Sequence, residues 1–146
     1  MTIHLKYHEA MIKTAHIWSQ LSSCNRLKVG AVLAKNNRII GVGYNGTISG
    51  MSNDCEDEQG KTRDNVIHAE KNVLLFCAKE GISVDGASLY VTHSPCLNCS
   101  SSIAQSGIKN VFYMIDYKCD RGIKQLVKFG VDVFQIPTTI IGDISK

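Results

Sequence analysis

No apolar run in this sequence approaches the roughly 20 residues that a membrane helix needs. No block of five like charges appears either. The 16 Lys and Arg against 13 Asp and Glu leave a net charge of only +3. A dedicated nucleic-acid binder more often carries a basic stripe. A small anionic ligand needs only one or two local cations, so a small substrate is expected, with no nucleic-acid or membrane partner. Internal repeats and low-complexity tracts are lacking. The stretch 1–9 carries charge where the apolar core of a signal peptide would stand, which predicts a cytoplasmic location.

What is present fits one domain over residues 1–146. The chain has 44% hydrophobic and 20% charged residues, ordinary for a globular protein large enough to bury a core. Of six cysteines, two form a C-x-x-C, a spacing that in a reducing compartment favours metal or redox chemistry.

The patterning predicts α-β-β-α-β-α-β-α-β. Ala10, Met11, Ala15, Trp18 and Leu21 recur at a helical period over 7–22, with Trp18, Leu21 and Met11 as core residues. Strands over 29–34 and 39–44 flank a polar turn, Lys35 to Arg38. Gly41, Gly43 and Gly46 suggest close approach of backbone or ligand. Thr47 to Asp64 reads as a long polar loop with five acids (Asp54, Glu56, Asp57, Glu58, Asp64), either simply solvated or part of an effector or magnesium site. Asn65 can cap a helix that Gly81 ends. A strand over 87–92 precedes a helix over 95–106, with Ser94 as N-cap and Pro95 as first helical residue. A strand over 111–115, a helix over 122–129 and a strand over 131–136 follow. A hairpin and then β-α-β units imply an α/β fold, one mixed sheet with helices on both faces.

The chemistry concentrates in His68-Ala69-Glu70 and in Pro95-Cys96-Leu97-Asn98-Cys99, whose first cysteine stands 28 residues after the histidine. One His and two Cys supply three zinc ligands and leave one tetrahedral position for a water, the arithmetic of a catalytic site. Glu70 stands close enough to move protons as general base and acid. Both stretches fall in the first turns of helices, where backbone N–H groups favour thiolate at Cys96 and Cys99. A core histidine with buried thiols would leave the spaced acid unexplained. A redox C-x-x-C would leave His-x-Glu unexplained, and a structural zinc finger lacks its fourth ligand. The paired motifs are the general signature of zinc nucleobase deaminases.

Further stretches resemble the deoxycytidylate (dCMP) deaminases of the zinc-dependent cytidine deaminase superfamily, especially its compact viral and bacterial members. They are Lys28-Val29-Gly30-Ala31-Val32, Gly43-Tyr44-Asn45-Gly46, His68-Ala69-Glu70-Lys71-Asn72, Tyr90 through Cys99, and Ile103 through Ile108. The resemblance spans residues 5–136. It implies a three-layer αβα sandwich on a five-stranded mixed sheet and hydrolysis of dCMP to dUMP and ammonia. One catalytic Zn2+ per subunit is implied, held by His68, Cys96 and Cys99, with Glu70 shuttling protons. It further implies a homo-oligomer, commonly a hexamer, activated by dCTP and inhibited by dTTP, with Mg2+ accompanying the triphosphate.

For the substrate, the resemblance points to Asn45 on the sugar and Arg26 and Tyr117 near the phosphate. The Ser94 hydroxyl and the Ala69 backbone would lie at the base. Asn45 also reads as a turn residue, and Arg26 as an ordinary surface arginine. Effector contacts are implied at Lys28, Tyr44 and Gly46. Cys24 and Cys55 read as free thiols; some phage relatives place a second zinc near their equivalents, but here no His lies between Cys55 and His68. Cys77 and Cys119 read as packing or surface residues. His93 stands where related sequences are often apolar. The same zinc site would also serve a deaminase acting on tRNA, or a regulatory nucleotide-binding protein without turnover.

Overall fold

The computed structural model describes residues 5–143; the remaining termini of the expected 1–146 domain lie outside the described residues. The chain runs α1 (Leu5–Ser19), β1 (Gly30–Lys35), β2 (Arg38–Tyr44), α2 (Ala69–Glu80), β3 (Ser88–His93), α3 (Leu97–Gln105), β4 (Asn110–Ile115), α4 (Arg121–Lys128) and β5 (Asp132–Gln135). A 3-10 turn spans Thr138–Asp143. The expected order of elements holds throughout.

The strands form one sheet in the order β2-β1-β3-β4-β5. β1 is antiparallel to both β2 and β3, while β3, β4 and β5 are parallel. The β1–β2 hairpin closes through Asn36 and Asn37, both at positive φ (54° and 61°). Two consecutive left-handed residues match the twist of a hairpin, and Asn tolerates them better than most side chains.

Alternation along the strands divides the core into two layers. Ala31, Leu33, Leu89, Val91 and Val111 face one side with Val73 and Cys77 of α2, Ile103 of α3 and Leu126 of α4. Val32, Tyr90, Phe112 and Met114 face the other, against Met11, Ile12 and Ala15 of α1. Each fully buried Leu or Val contributes about 1.5–3 kcal/mol relative to exposure.

Glycines set how closely the helices approach. A Cβ on Gly43 would lie 3.0 Å from the Val73 nitrogen and 3.1 Å from the Ala69 oxygen, so α2 rests on bare β2 backbone there. Gly41 faces the Cys77 sulfur in the same way, whereas Gly46, also expected to mark a close approach, has nothing within 4 Å.

Four local expectations are corrected. Asn65 does not cap α2; the helix begins at Ala69 with His68 as N-cap. The reason is a backbone bridge between Ile67 and Gly46, which keeps the chain extended up to His68. Ser94 and Pro95 likewise precede α3, whose N-cap is Cys96. In α1 the buried face is Met11, Ile12, Ala15 and Ser19. Trp18 is only half-buried near Tyr44, Ala10 is exposed, and Leu21 lies past the helix end in solvent. Finally, Cys24 and Cys55 are not free thiols but a disulfide. It ties the turn after α1 to the long loop, which Ser23 Oγ also holds by donating to the Asn53 carbonyl (2.9 Å).

Candidate active site

The parallel strands point their C-terminal ends toward the starts of α2 and α3, and the two chemical motifs meet there. His68 arrives in extended conformation (ψ 153°) as N-cap of α2, so its ring projects beyond the helix rather than along it. Cys96 does the same at α3 (ψ 170°), and its Sγ accepts the Cys99 backbone N–H at 3.4 Å. Cys99 follows as the third residue of α3. The expectation of two helix starts is met, with both leading ligands one step earlier than the first turn.

The donors converge. His68 Nδ1 lies 3.6 Å from Cys96 Sγ and 3.4 Å from Cys99 Sγ. The three ligand atoms lie within 4.8 Å of one another. A tetrahedral zinc with Zn–S of about 2.3 Å and Zn–N of about 2.05 Å requires S···N separations of about 3.6 Å. The residues therefore fit zinc in both donor chemistry and spacing.

The same proximity sorts protons among the three groups. Cys96 is drawn down to about 3, first by a hydrogen bond from Cys99, with the His68 hydrogen bond adding to it. Cys99 is pushed up, chiefly because its proton is held by the Cys96 sulfur and then by burial. His68 is raised, mainly by its hydrogen bond with Cys96 and also by the charge of Glu70. Glu70 is 5% exposed, and burial pushes its carboxyl up to about 7. A carboxyl held near neutrality can both take and return a proton. Nearby positive charge favours its ionised form.

A cleft of about 330 Å³ opens over this floor of His68, Ala69, Glu70 and Cys96. All five residues expected at the substrate, Arg26, Asn45, Ala69, Ser94 and Tyr117, line it. Their bonds refine the reading of each. Asn45 Oδ1 accepts from the Val29 nitrogen (2.9 Å) and its Nδ2 donates to the Leu27 carbonyl (2.7 Å). It thus pins one wall and keeps one amide hydrogen to offer. Ser94 Oγ accepts from the Tyr117 nitrogen at 2.7 Å, which fixes the chain after β4 across the opposite wall. Arg26 donates to Thr62 Oγ1 at 3.5 Å.

The three residues expected to bind an effector are absent from this lining. Lys28 Nζ donates to the Ser22 carbonyl, the Tyr44 carbonyl accepts from Asn72 Nδ2 (2.8 Å), and Gly46 pairs with Ile67. In the acidic loop, Asp57 Oδ1 accepts from the Gln59 and Lys61 nitrogens (2.9 Å each), and Glu56 Oε1 accepts from the Asn25 nitrogen (3.0 Å).

Sequence reasoning missed Glu56, Thr62, Asp116 and Lys118, which also line the cleft, and gave no role to His93, which lines it too. Asp116 and Lys118 flank Tyr117 and could have been found from it. Nothing in the sequence placed Glu56 or Thr62 there, because the disulfide brings their loop in.

Residues 4–115 match the family model described as the cytidine and deoxycytidylate deaminase zinc-binding region. ComE operon protein 2 of Bacillus subtilis is 40% identical over 137 residues, which cover 90% of this chain and 72% of that protein. The deoxycytidylate deaminase of enterobacteria phage T4 is 35% identical over 170 aligned positions, covering 87% of this chain and 88% of that one. Among solved structures, the dCMP deaminase of cyanophage S-TIM5 in complex with dCMP and dUMP superposes with a TM-score of 0.91. It is 46% identical, over 92% of this chain and 100% of that chain. The five-stranded mixed sheet expected from the resemblance is the fold observed.

Proposed function

The chain belongs to the cytidine and deoxycytidylate deaminase family, and we propose that it hydrolyses dCMP to dUMP and ammonia. The observation that carries this reading is buried Glu70 beside three converging zinc ligands, on the floor of a cleft with Arg26 and Lys118 in its lining. Bound there, zinc supplies Lewis acidity and makes water a nucleophile near neutral pH.

The rest falls to the chain's own residues. The ionised Glu70 carboxylate takes a proton from the attacking water and passes it to N3 of the pyrimidine. Once oxygen has added at C4, Glu70 takes the second proton from the new C4 hydroxyl and gives it to N4, so that the C4–N4 bond breaks, C4=O forms and ammonia leaves. One carboxylate serves in both directions, so it must remain outside the ligand set, and the three converging donors do not include it. The Ala69 backbone holds the base, the spare amide hydrogen of Asn45 reaches the sugar, and Arg26 with Tyr117 meets the phosphate. Ser94 acts on this wall by holding Tyr117.

The family resemblance supports further assignments. Residues 1–146 read as one deaminase domain, which works as a homohexamer in the cytoplasm (host cytoplasm if viral), in the supply of dTMP precursors. dCTP activates it and dTTP inhibits it, with Mg2+ accompanying the triphosphate and Lys28, Tyr44 and Gly46 as effector contacts. Among the described residues no helix is long and apolar enough to cross a membrane.

The test is ammonia release by zinc-loaded protein given dCMP, deoxycytidine, dCTP and a tRNA anticodon hairpin in parallel, with and without triphosphate and Mg2+. Turnover of dCMP over the others is expected, and turnover of the hairpin instead would overturn the nucleotide reading. A rate indifferent to dCTP and dTTP would remove the regulatory part alone.

A further inference from the structure

His93 ends β3, and its side chain joins the lining of the cleft that holds His68, Glu70 and Cys96. Its Nδ1 lies 2.9 Å from the hydroxyl of Thr92. That hydroxyl is buried (1% exposed) and already accepts the Gly30 backbone N–H at 3.2 Å.

A threonine hydroxyl has one proton to give. Among the described residues, the only acceptor in reach of Thr92 Oγ1 is His93 Nδ1. The direction of the chain of bonds follows: Gly30 N–H donates to Thr92, and Thr92 O–H donates to His93 Nδ1. An imidazole nitrogen that accepts carries no proton, so the neutral ring has its hydrogen on Nε2. Burial also lowers the pKa of His93, which favours this uncharged form. The fold thus presents one oriented N–H donor, and Nε2 has no protein partner among the described residues.

The other groups of the cleft narrow what that donor meets. The base end is served by Glu70 and the Ala69 backbone. The Ser94 hydroxyl is occupied by Tyr117. The parallel register pairs His93 with Ile115, from which the chain leads to Asp116, Tyr117 and Lys118. Arg26 and Lys118 add two cations to the same lining, and its Glu56 and Asp116 carboxylates are engaged elsewhere, Glu56 Oε1 accepting from the Asn25 nitrogen (3.0 Å) and Asp116 Oδ1 from the Tyr113 hydroxyl (3.2 Å). Donors and cations in one cleft suit an acceptor with several lone pairs and negative charge, which a nucleoside lacks and a nucleotide has.

We propose that His93 donates its Nε2–H to a phosphate oxygen of the nucleotide and so is a specificity residue for nucleoside monophosphate over nucleoside. The assignment rests on the deaminase reading above, and the test separates the two. It measures kcat/KM for dCMP and for deoxycytidine, with zinc content, in the wild type, His93→Leu and His93→Gln.

In His93→Leu the dCMP to deoxycytidine ratio is expected to fall about tenfold or more, mainly through KM for dCMP, the scale on which a hydrogen bond to a charged group is felt. His93→Gln, which offers an amide N–H near the same place, is expected to recover most of the ratio. An unchanged ratio in His93→Leu, equal losses on both substrates, or a glutamine variant as poor as the leucine one would each overturn the proposal. If the leucine variant fails to fold or to hold zinc, His93→Met, which also lacks an N–H donor, takes its place: a lowered ratio with zinc retained supports the donor role, and an unchanged ratio contradicts it. A wild type that does not prefer dCMP over deoxycytidine would instead sink the underlying substrate reading.

Discussion

Cys99 Sγ lies 3.4 Å from His68 Nδ1, although 31 residues of chain separate them. Their approach is what β3 accomplishes, since it carries the chain from the end of α2 back to the start of α3. Cys99→Ser is therefore expected to retain the fold and lose zinc. Replacing a soft thiolate by a weakly acidic hydroxyl removes one of three ligands. Metal analysis after dialysis checks this, and full zinc occupancy in the variant would contradict the ligand assignment.

Gly122 at the start of α4 lies directly against the backbone that carries Cys96. A Cβ there would lie 2.1 Å from the Pro95 oxygen and 2.8 Å from the Cys96 oxygen. Gly122→Ala must push α4 away from the backbone that carries Cys96. A loss of roughly 1–3 kcal/mol in stability is expected from such overpacking, together with weaker zinc retention. Thermal melts and a competitive chelator titration measure both. Normal values in each would show that α4 does not brace the ligand.

The Cys24–Cys55 disulfide closes the chain between residues 24 and 55 and anchors the segment just beyond it, from which Glu56 and Thr62 reach the cleft. Constraining the unfolded chain over that length contributes about 2–4 kcal/mol. A phosphine reductant is expected to lower the denaturant midpoint of the wild type and leave the Cys24→Ser/Cys55→Ser protein unchanged. Equal midpoints for the wild type with and without reductant would mean that the crosslink adds nothing.

On the opposite face of the sheet, Tyr90 Oη lies 2.7 Å from His8 Nδ1, and the His8 ring packs 4.3 Å from that of Phe112. Burial lowers the His8 pKa from its usual 6.5. The unfolded chain then binds a proton on His8 at pH values where the fold does not, so His8 contributes stability above about pH 6.5 that is lost as pH falls toward its lower folded value. Denaturation midpoints at pH 7.5 and 5.5 should drop more in the wild type than in His8→Gln. Identical drops would remove His8 from the acid sensitivity.

The order of elements and the two motifs that bring His68, Cys96 and Cys99 together were readable because each element and each motif is local. Alternation announces the strands, and Asn36-Asn37 suits a tight hairpin turn. His-x-Glu with Pro-Cys-x-x-Cys names its chemistry by spacing alone. What could not be read depends on distant pairing. Asn65 looks like a helix cap until Ile67 is seen bridged to Gly46. Ser94 looks like another until its hydroxyl is found on the Tyr117 nitrogen. Trp18 and Leu21 fit the helical period, but the buried face centres on Ile12, and Leu21 falls past the end of α1. His93 drew no role from the sequence, because the bonds that link it through Thr92 to Gly30 join two different strands.

The most direct test of the account is dUMP formation from dCMP by zinc-loaded wild type and Glu70→Gln side by side, with zinc measured in each. Proton transfer by a positioned carboxylate is worth about 10²–10⁴ in rate. The variant is expected to keep its zinc and lose at least that much activity. Near-normal turnover by zinc-replete Glu70→Gln would contradict the mechanism at its centre.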